Sequence, residues 1–388
     1  MMFSEPWFML LFVGTVLAFF LVPVRRREAV LILSGGLFYA VAAGPWLLLI
    51  VGLVLMTYAA SGRLGVWLNS VALLGLLASF KLRGVGTVFS GAVPAAGQLV
   101  FPLGLSFLAF ELIHVAVERQ RGKIPRLTLS SLAAFALYFP CRVAGPIKRY
   151  QPFITSLHEA RWSIEQCYRG VVRILWGAVK KVVVADVLAL IIAELNFPTT
   201  RLQTWKGIVA YSCYLFLDFS AYSDIAIGMS WVLGLRVPEN FRLPYLSRNI
   251  REFWTRWHIS LSSWLGDYLY LPLGKRFVAA PARLPPRDAA VLSYLVTFSL
   301  CGIWHGFSLN FLLWGLYHGM LLAAYALYVS SRDLKGRPRS RRGGVVGGIV
   351  SLASSAVTFF LVTVGWVLFA FPVPKAVDLY RRLLGGQG

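Results

Sequence analysis

Apolar stretches alternate with short polar segments along the whole chain, at 6–24, 29–43, 45–60, 64–80, 99–118, 129–144, 168–194, 206–235, 288–304, 307–330 and 346–371. Stretches of this length and composition predict helices in a bilayer, because lipid offers backbone N–H and C=O groups no partner outside a helix or a closed barrel. Gly44-Pro45 separates the second stretch from the third and predicts a hairpin that stops short of a full crossing. The stretch 206–235 is too long for one simple crossing and holds Asp218 and Asp224, so it is expected to tilt or to break around its polar middle. Polar loops are expected at 84–98, 147–166, 236–250, 273–288 and 331–345. No duplicated half, fixed-period repeat or Pro/Ser-rich linker divides the chain, and one continuous bundle over 1–388 is the simplest organisation.

One segment has another pattern. Between Ile250 and Tyr268, the residues Ile250, Phe253, Trp254, Trp257, Leu261, Trp264, Leu265 and Tyr268 share one face at ~100° per residue. Arg251, Glu252, Arg256 and Asp267 lie outside that stripe, with His258 and Arg251 at its edge. Three tryptophans on such a face suit the headgroup boundary or a groove between helices, which predicts an interfacial or re-entrant helix.

Composition strengthens the membrane reading. Of 388 residues 58% are hydrophobic and 14% charged, and the mean hydropathy is +0.68. The hydrophobic share, about 225 residues, suffices for roughly ten spans of ~20 residues. A soluble enzyme, a disordered chain and a nucleic-acid-binding domain are poor readings of such a balance. The fold class is therefore an all-α polytopic membrane protein. The net charge of +22 comes from 38 Lys+Arg against 16 Asp+Glu. Its basic residues cluster at 25–27, 119–126, 242–256, 275–287 and 332–342, between apolar stretches, as cytoplasmic loops do. With Arg25–Arg27 inside, the N-terminus is expected outside, and no positive charge precedes the first apolar stretch as a secretory signal would require. Cys141, Cys167, Cys213 and Cys301 are scattered without a CxxC pair, which argues against a disulfide framework or a metal site.

Ionisable groups in apolar helices are costly and need a reason. Glu111 and His114 are three apart and share a helix face. Asp218, Ser220, Tyr222, Ser223 and Asp224 form a polar patch that reads either as a satisfied network between helices or as part of a site. The sharpest signal is Gly302-Ile303-Trp304-His305-Gly306, where an imidazole can accept a hydroxyl proton and return it, and Trp304 can wall a substrate channel. A lone membrane histidine is more often structural, but His258 in WTRWHISLS gives His305 a companion. His318 reads as structural. Cys301, four residues before His305, offers a rival Cys/His nucleophile pair.

At these residues the chain resembles the membrane-bound O-acyltransferase family. The resemblance runs through FPLGLSF (101–107), YFPCRVAGPIKRY (138–150), LDFSAYSDIAIG (217–228), ENFRLPYLSRNIREFWTRWHISLSSWLGDYLYLPLG (239–274) and GIWHGFSLNFLLWGLYHG (302–319), in the family's order. The wording is closest to the bacterial branch that acylates exported polysaccharides. Gly266 stands where the family usually has arginine, and alginate-type members often carry helices beyond a position equivalent to 346–371.

The resemblance implies a ring of about 10–11 transmembrane helices with re-entrant or interfacial pieces. Within it, a cytosolic donor and an extracytoplasmic acceptor reach one histidine through a tunnel in the inner membrane. By motif position His305 matches the family's catalytic histidine and His258 its second recurring polar position. The implied reaction is transfer of an acyl group, foremost acetyl from acetyl-CoA, to hydroxyls of an exported polysaccharide, beside extracytoplasmic partner proteins. D-alanyl transfer from an acyl carrier protein thioester is the alternative. Asn249 or His258 is a candidate for stabilising the oxyanion. Arg251 and its basic neighbours in 242–256 would hold the donor's phosphates or lipid headgroups, and Asp218 would contact substrate or serve stability. A glycan flippase is the rival of another class, although it leaves the histidine motif unexplained.

Overall fold

The computed structural model describes residues 3, 5–90, 102–193, 195, 200–334 and 344–385. The expected loops at 84–98 and 331–345, the basic run 332–342 and the start of FPLGLSF therefore lie partly or largely outside the described residues. Among the described residues the regular elements are all helical. Four helices among the described residues are long and apolar enough to cross a membrane, at Gly62–Leu82, Pro286–His305, Leu309–Ser331 and Val346–Ala370.

The chain packs into two units, Met1–Val179 with Phe219–Glu239, and Lys180–Asp218 with Asn240–Gly388. The first holds α1 (Pro6–Leu21), α2 (Arg27–Ala43), α3 (Trp46–Ala59), α4 (Gly62–Ser90), α5 (Leu105–Gln120), α6 (Leu129–Leu137), α7 (Tyr150–Glu159) and α8 (Ile164–Val179). Gly44 and Pro45 do separate α2 from α3. At 14 residues α3 is about 21 Å long, short of a ~30 Å hydrocarbon core. The segment 147–166, expected as a loop, contains α7: its Phe153 and Leu157 bury a short apolar edge that polar neighbours mask in the sequence.

Three charged residues are sealed in this unit. Glu111 of α5 accepts from Arg142 at 2.7 Å, from Lys148 Nζ at 2.7 Å and from the Lys148 backbone N–H at 3.0 Å. All three side chains are buried. The Lys148 ammonium also lies 4.8 Å from the Phe135 ring centroid, a cation–π contact. One turn on, His114 Nε2 accepts the Tyr150 N–H at 3.0 Å. The Glu111/His114 face thus joins α5 to the segment that follows α6. Arg27, from the first basic run, is likewise buried and donates to the Ala160 carbonyl at 2.6 Å.

The remaining helices are α9 (Asp186–Ala193), α10 (Arg201–Val232), α11 (Ile250–Trp254), α12 (Ile259–Leu265), α13 (Leu271–Val278), α14 (Pro286–His305), α15 (Leu309–Leu334), α16 (Gly344–Ala370) and α17 (Val373–Leu383). Contrary to the expected alternative of a break, α10 runs unbroken for 32 residues. Its aspartates are satisfied from outside the helix. Asp224 accepts from Arg173 at 2.9 Å within the first unit, and Asp218 pairs with Lys181 at 2.5 Å within the second. Side-chain partners of this kind leave the helix's own backbone bonds untouched.

The segment 250–268 departs from the single helix that its periodicity predicts. It forms α11 and α12, parted where His258 takes a left-handed conformation at φ 42°, and then a widened turn at Gly266–Tyr270 that leads into α13. The cause lies in the Asn240 tether. The Asn240 carbonyl accepts the Ile259 N–H at 2.9 Å, and its side-chain Oδ1 accepts the Ser260 hydroxyl at 2.6 Å. Despite the break, Ile250, Phe253, Trp254, Trp257, Leu261, Trp264 and Leu265 are all buried as the stripe requires.

Helices α14 and α15 form an antiparallel hairpin with backbones in contact. A Cβ at Gly302 would fall on the Phe311 carbonyl, and one at Gly315 on the Phe298 carbonyl. Small residues at such crossings let helices approach closely enough for dispersion to hold them. Gly302→Val should therefore destabilise the protein by about 1–3 kcal/mol, the usual cost of overpacking. Thermal unfolding of purified variant and wild type checks this, and equal midpoints would show that the hairpin accommodates the extra bulk.

Candidate functional site

Helix α14 ends at His305, since Gly306 follows in an extended conformation and a short turn leads into α15. The imidazole is half-buried. It meets Trp314 edge-on at 5.2 Å and Phe369 of α16 edge-on at 5.0 Å, and it stacks near Phe311 at 6.2 Å. Trp304 adjoins it at 4.6 Å and is also part-exposed. Aromatic rings thus fix the imidazole plane while part of it stays accessible, the arrangement a general base requires.

Rings continue from this point towards the second histidine. Trp314 stacks on Trp366 at 5.8 Å, and Trp366 packs on Trp257 at 4.9 Å, one residue before His258. His258 is buried, and burial pushes its imidazole down to about 3. The ring is therefore neutral at physiological pH. Its Nδ1 lies 3.3 Å from Asn240 Oδ1, a carbonyl oxygen that already accepts from Ser260. Because that oxygen can only accept, Nδ1 carries the proton and the lone pair sits on Nε2. In this tautomer Nε2 is the ring's hydrogen-bond acceptor.

The other sequence candidates take varied places. Asn249 caps α11, its Oδ1 accepting the Glu252 N–H at 2.8 Å, so its amide nitrogen is the donor left for other work. Arg251 is exposed. Asp218 is engaged by Lys181 on a half-exposed face. Cys301 is buried, one helical turn before the part-exposed His305. His318 is wholly buried against Trp254 at 5.2 Å and Trp314 at 5.1 Å, in keeping with a structural role. Sequence reasoning missed Trp314, Trp366 and Phe369 as walls of the site. Trp314 lies inside the histidine motif and was within reach, whereas Trp366 and Phe369 are apolar residues of an apolar helix and carry no separate signal.

Comparison with known proteins adds to this geometry. The model of the membrane-bound O-acyltransferase family (MBOAT) matches residues 38–352. The probable alginate O-acetylase AlgI of Pseudomonas aeruginosa is 34% identical over 398 residues, covering 95% of this chain and 72% of that protein. The teichoic acid D-alanyltransferase of Bacillus subtilis is 31% identical over 287 residues, covering 70% of this chain and 69% of that protein. The peptidoglycan O-acetyltransferase of Helicobacter pylori is 26% identical over 445 residues, covering 100% of this chain and 80% of that protein.

Proposed function

The chain belongs to the membrane-bound O-acyltransferase family, a multi-pass membrane enzyme of O-acyl transfer, and from that premise we propose that it moves acetyl groups onto hydroxyls of an exported polysaccharide. The observation that carries this reading is the 34% identity to an alginate O-acetylase over 95% of the chain. The likeness to a D-alanyltransferase is lower in identity and in coverage, so D-alanyl transfer is the second reading. We take 1–388 as one functional domain of the inner membrane, acting with extracytoplasmic partner proteins.

The proposed donor is acetyl-CoA. His305 accepts the proton of the acceptor hydroxyl as its oxygen attacks the thioester carbonyl. The C–O bond forms, the C–S bond breaks, and the departing thiolate takes the proton back from the imidazolium. General-base help of this kind contributes about 10²–10⁴-fold, and the rest comes from holding the reactants together and stabilising the oxyanion. His258 Nε2 is assigned to accept from a substrate hydroxyl, and the Asn249 amide is assigned as the oxyanion donor. Trp304 is assigned to the channel wall, and Arg251 to the donor's phosphates.

Label transfer by purified protein in lipid tests the donor. Acetyl-CoA should acetylate a glycan or partner protein, and an acyl carrier protein thioester should not. The opposite preference would move the reading to D-alanyl transfer, and translocation of glycan without acylation would favour a flippase. Asp218→Asn should lower stability by at most about 1 kcal/mol, as for a part-exposed ion pair, and leave transfer intact. Lost transfer at unchanged thermal stability would place Asp218 among the substrate contacts.

A further inference from the structure

Two of the rings that flank His305 come from different helices, Phe311 from α15 and Phe369 from α16. A hydrogen-bonded tether joins those helices at this point, and its centre is Asn310, a residue to which acyl transfer has so far given no part. Its side chain is buried at the start of α15 and bonded at both ends. Oδ1 accepts the Ser308 hydroxyl at 2.6 Å, inside the turn that follows His305, and Nδ2 donates to the Leu368 carbonyl of α16 at 3.1 Å. Phe311 directly follows Asn310, and Phe369 directly follows Leu368, so each end of the tether carries one of the two rings. Gly306 lets the first ring come close: a Cβ there would lie 2.6 Å from the Phe311 ring, which rests on the backbone just after His305.

The carbonyl that Asn310 reaches is one the helix cannot serve. A helical carbonyl accepts the N–H four residues on, and four residues beyond Leu368 stands Pro372, which has none. With α16 ending at Ala370, the donor has to come from elsewhere. A carboxamide meets the need because one planar group offers Nδ2 to Leu368 and Oδ1 to Ser308, which neither a carboxylate nor an ammonium can do. Further along the same two helices Tyr317 Oη donates to the Leu361 carbonyl at 2.9 Å. Tyr317 therefore keeps α15 and α16 paired in the helix interior, whereas Asn310 governs the end beside His305. We propose that Asn310 is a positioning residue for acyl transfer, holding Phe311 and Phe369 against His305 so that the imidazole keeps one orientation towards the acceptor hydroxyl. The inference rests on His305 as the general base.

Asn310→Leu keeps the volume and removes both bonds. With labelled acetyl-CoA and protein in lipid, it should lower kcat by about ten- to hundredfold, the scale on which small misplacements act, at unchanged KM for acetyl-CoA. Ser308→Ala loses only the hydroxyl on Oδ1 and should lower kcat in the same sense by less. Carbethoxylation by diethylpyrocarbonate, read by peptide mass spectrometry, supplies a measure that needs no turnover. His305 should react severalfold faster in Asn310→Leu than in wild type, relative to His158, a half-exposed histidine of the other unit. Unchanged kcat or unchanged His305 labelling in a folded variant would overturn the proposal. A rise in KM alone would overturn it too, by placing Asn310 in ground-state binding of the donor. Should Asn310→Leu misfold, Ser308→Ala decides by the same two readouts. Wild-type turnover in His305→Ala would strike the base assignment instead, and the His305 labelling of Asn310→Leu would then decide the tether by itself.

Discussion

Replacing His305 with alanine should cut acetyl transfer by about 10²–10⁴-fold while the protein still inserts, purifies and melts close to wild type. The expectation follows from where the ring sits. It is half-buried and contributes its plane to a wall built by Trp314, Phe311 and Phe369. Those rings keep their own contacts when it is removed, Phe369 with Trp314 at 5.2 Å and with Phe311 at 5.2 Å. Label transfer from acetyl-CoA, with thermal unfolding as the control, checks both halves of the prediction. A well-folded His305→Ala protein with near-normal turnover would remove the general base from the proposed mechanism. Cys301→Ala is the companion experiment and should be nearly silent, because the thiol is buried. Inactivation without misfolding in that variant would turn the assignment to the sulfur.

The largest expected loss of stability lies elsewhere, at Glu111. Its carboxylate holds Arg142 and Lys148, and all three side chains are sealed from solvent. Glu111→Gln keeps the shape but leaves two cations buried against a neutral amide. Removing one partner from a buried ionic group costs about 3–5 kcal/mol, since the remaining charge has lost its compensation and cannot regain water. The variant should melt far below wild type or fail to elute as a single species. Replacing all three with apolar residues of similar volume should recover much of the loss, because desolvation and attraction then vanish together. If Glu111→Gln melted at the wild-type midpoint, the network would contribute nothing to stability. Separate loss of stability at Glu111 and of transfer at His305 would distinguish the framework from the chemistry.

Much of this molecule is legible in its order of residues, and the limits have physical causes. The apolar stretches carried the long helices, because in lipid a helix is forced by its backbone. The aromatic stripe between Ile250 and Tyr268 correctly marked the buried face, but periodicity is blind to the tether from Asn240, eighteen residues away from His258, that breaks the helix there. The continuity of α10 depended on Lys181 and Arg173, cations supplied by segments far from the aspartates they hold. Helices α7 and α13 were hidden by polar composition. At the site, the two histidines and Trp304 stood out as polar or motif residues, whereas Trp366 and Phe369 became walls only through the packing of α16 on α15. The tautomer of His258 is likewise a property of its neighbours and not of the motif that contains it.

The contact between Gly302 and Gly315 bears on how the protein exchanges its amide hydrogens. A crossing without intervening side chains leaves no partial opening in which one helix loosens while the other keeps its bonds, because separating the backbones at all exposes both. Amides on either side of that crossing should therefore be among the last to take up deuterium, and they should do so together. His305 sits at the end of this slow-exchanging hairpin, only three residues beyond Gly302. Its backbone is then a fixed point on the time scale of turnover, and admission of substrate has to come from the side chains and helices that face it.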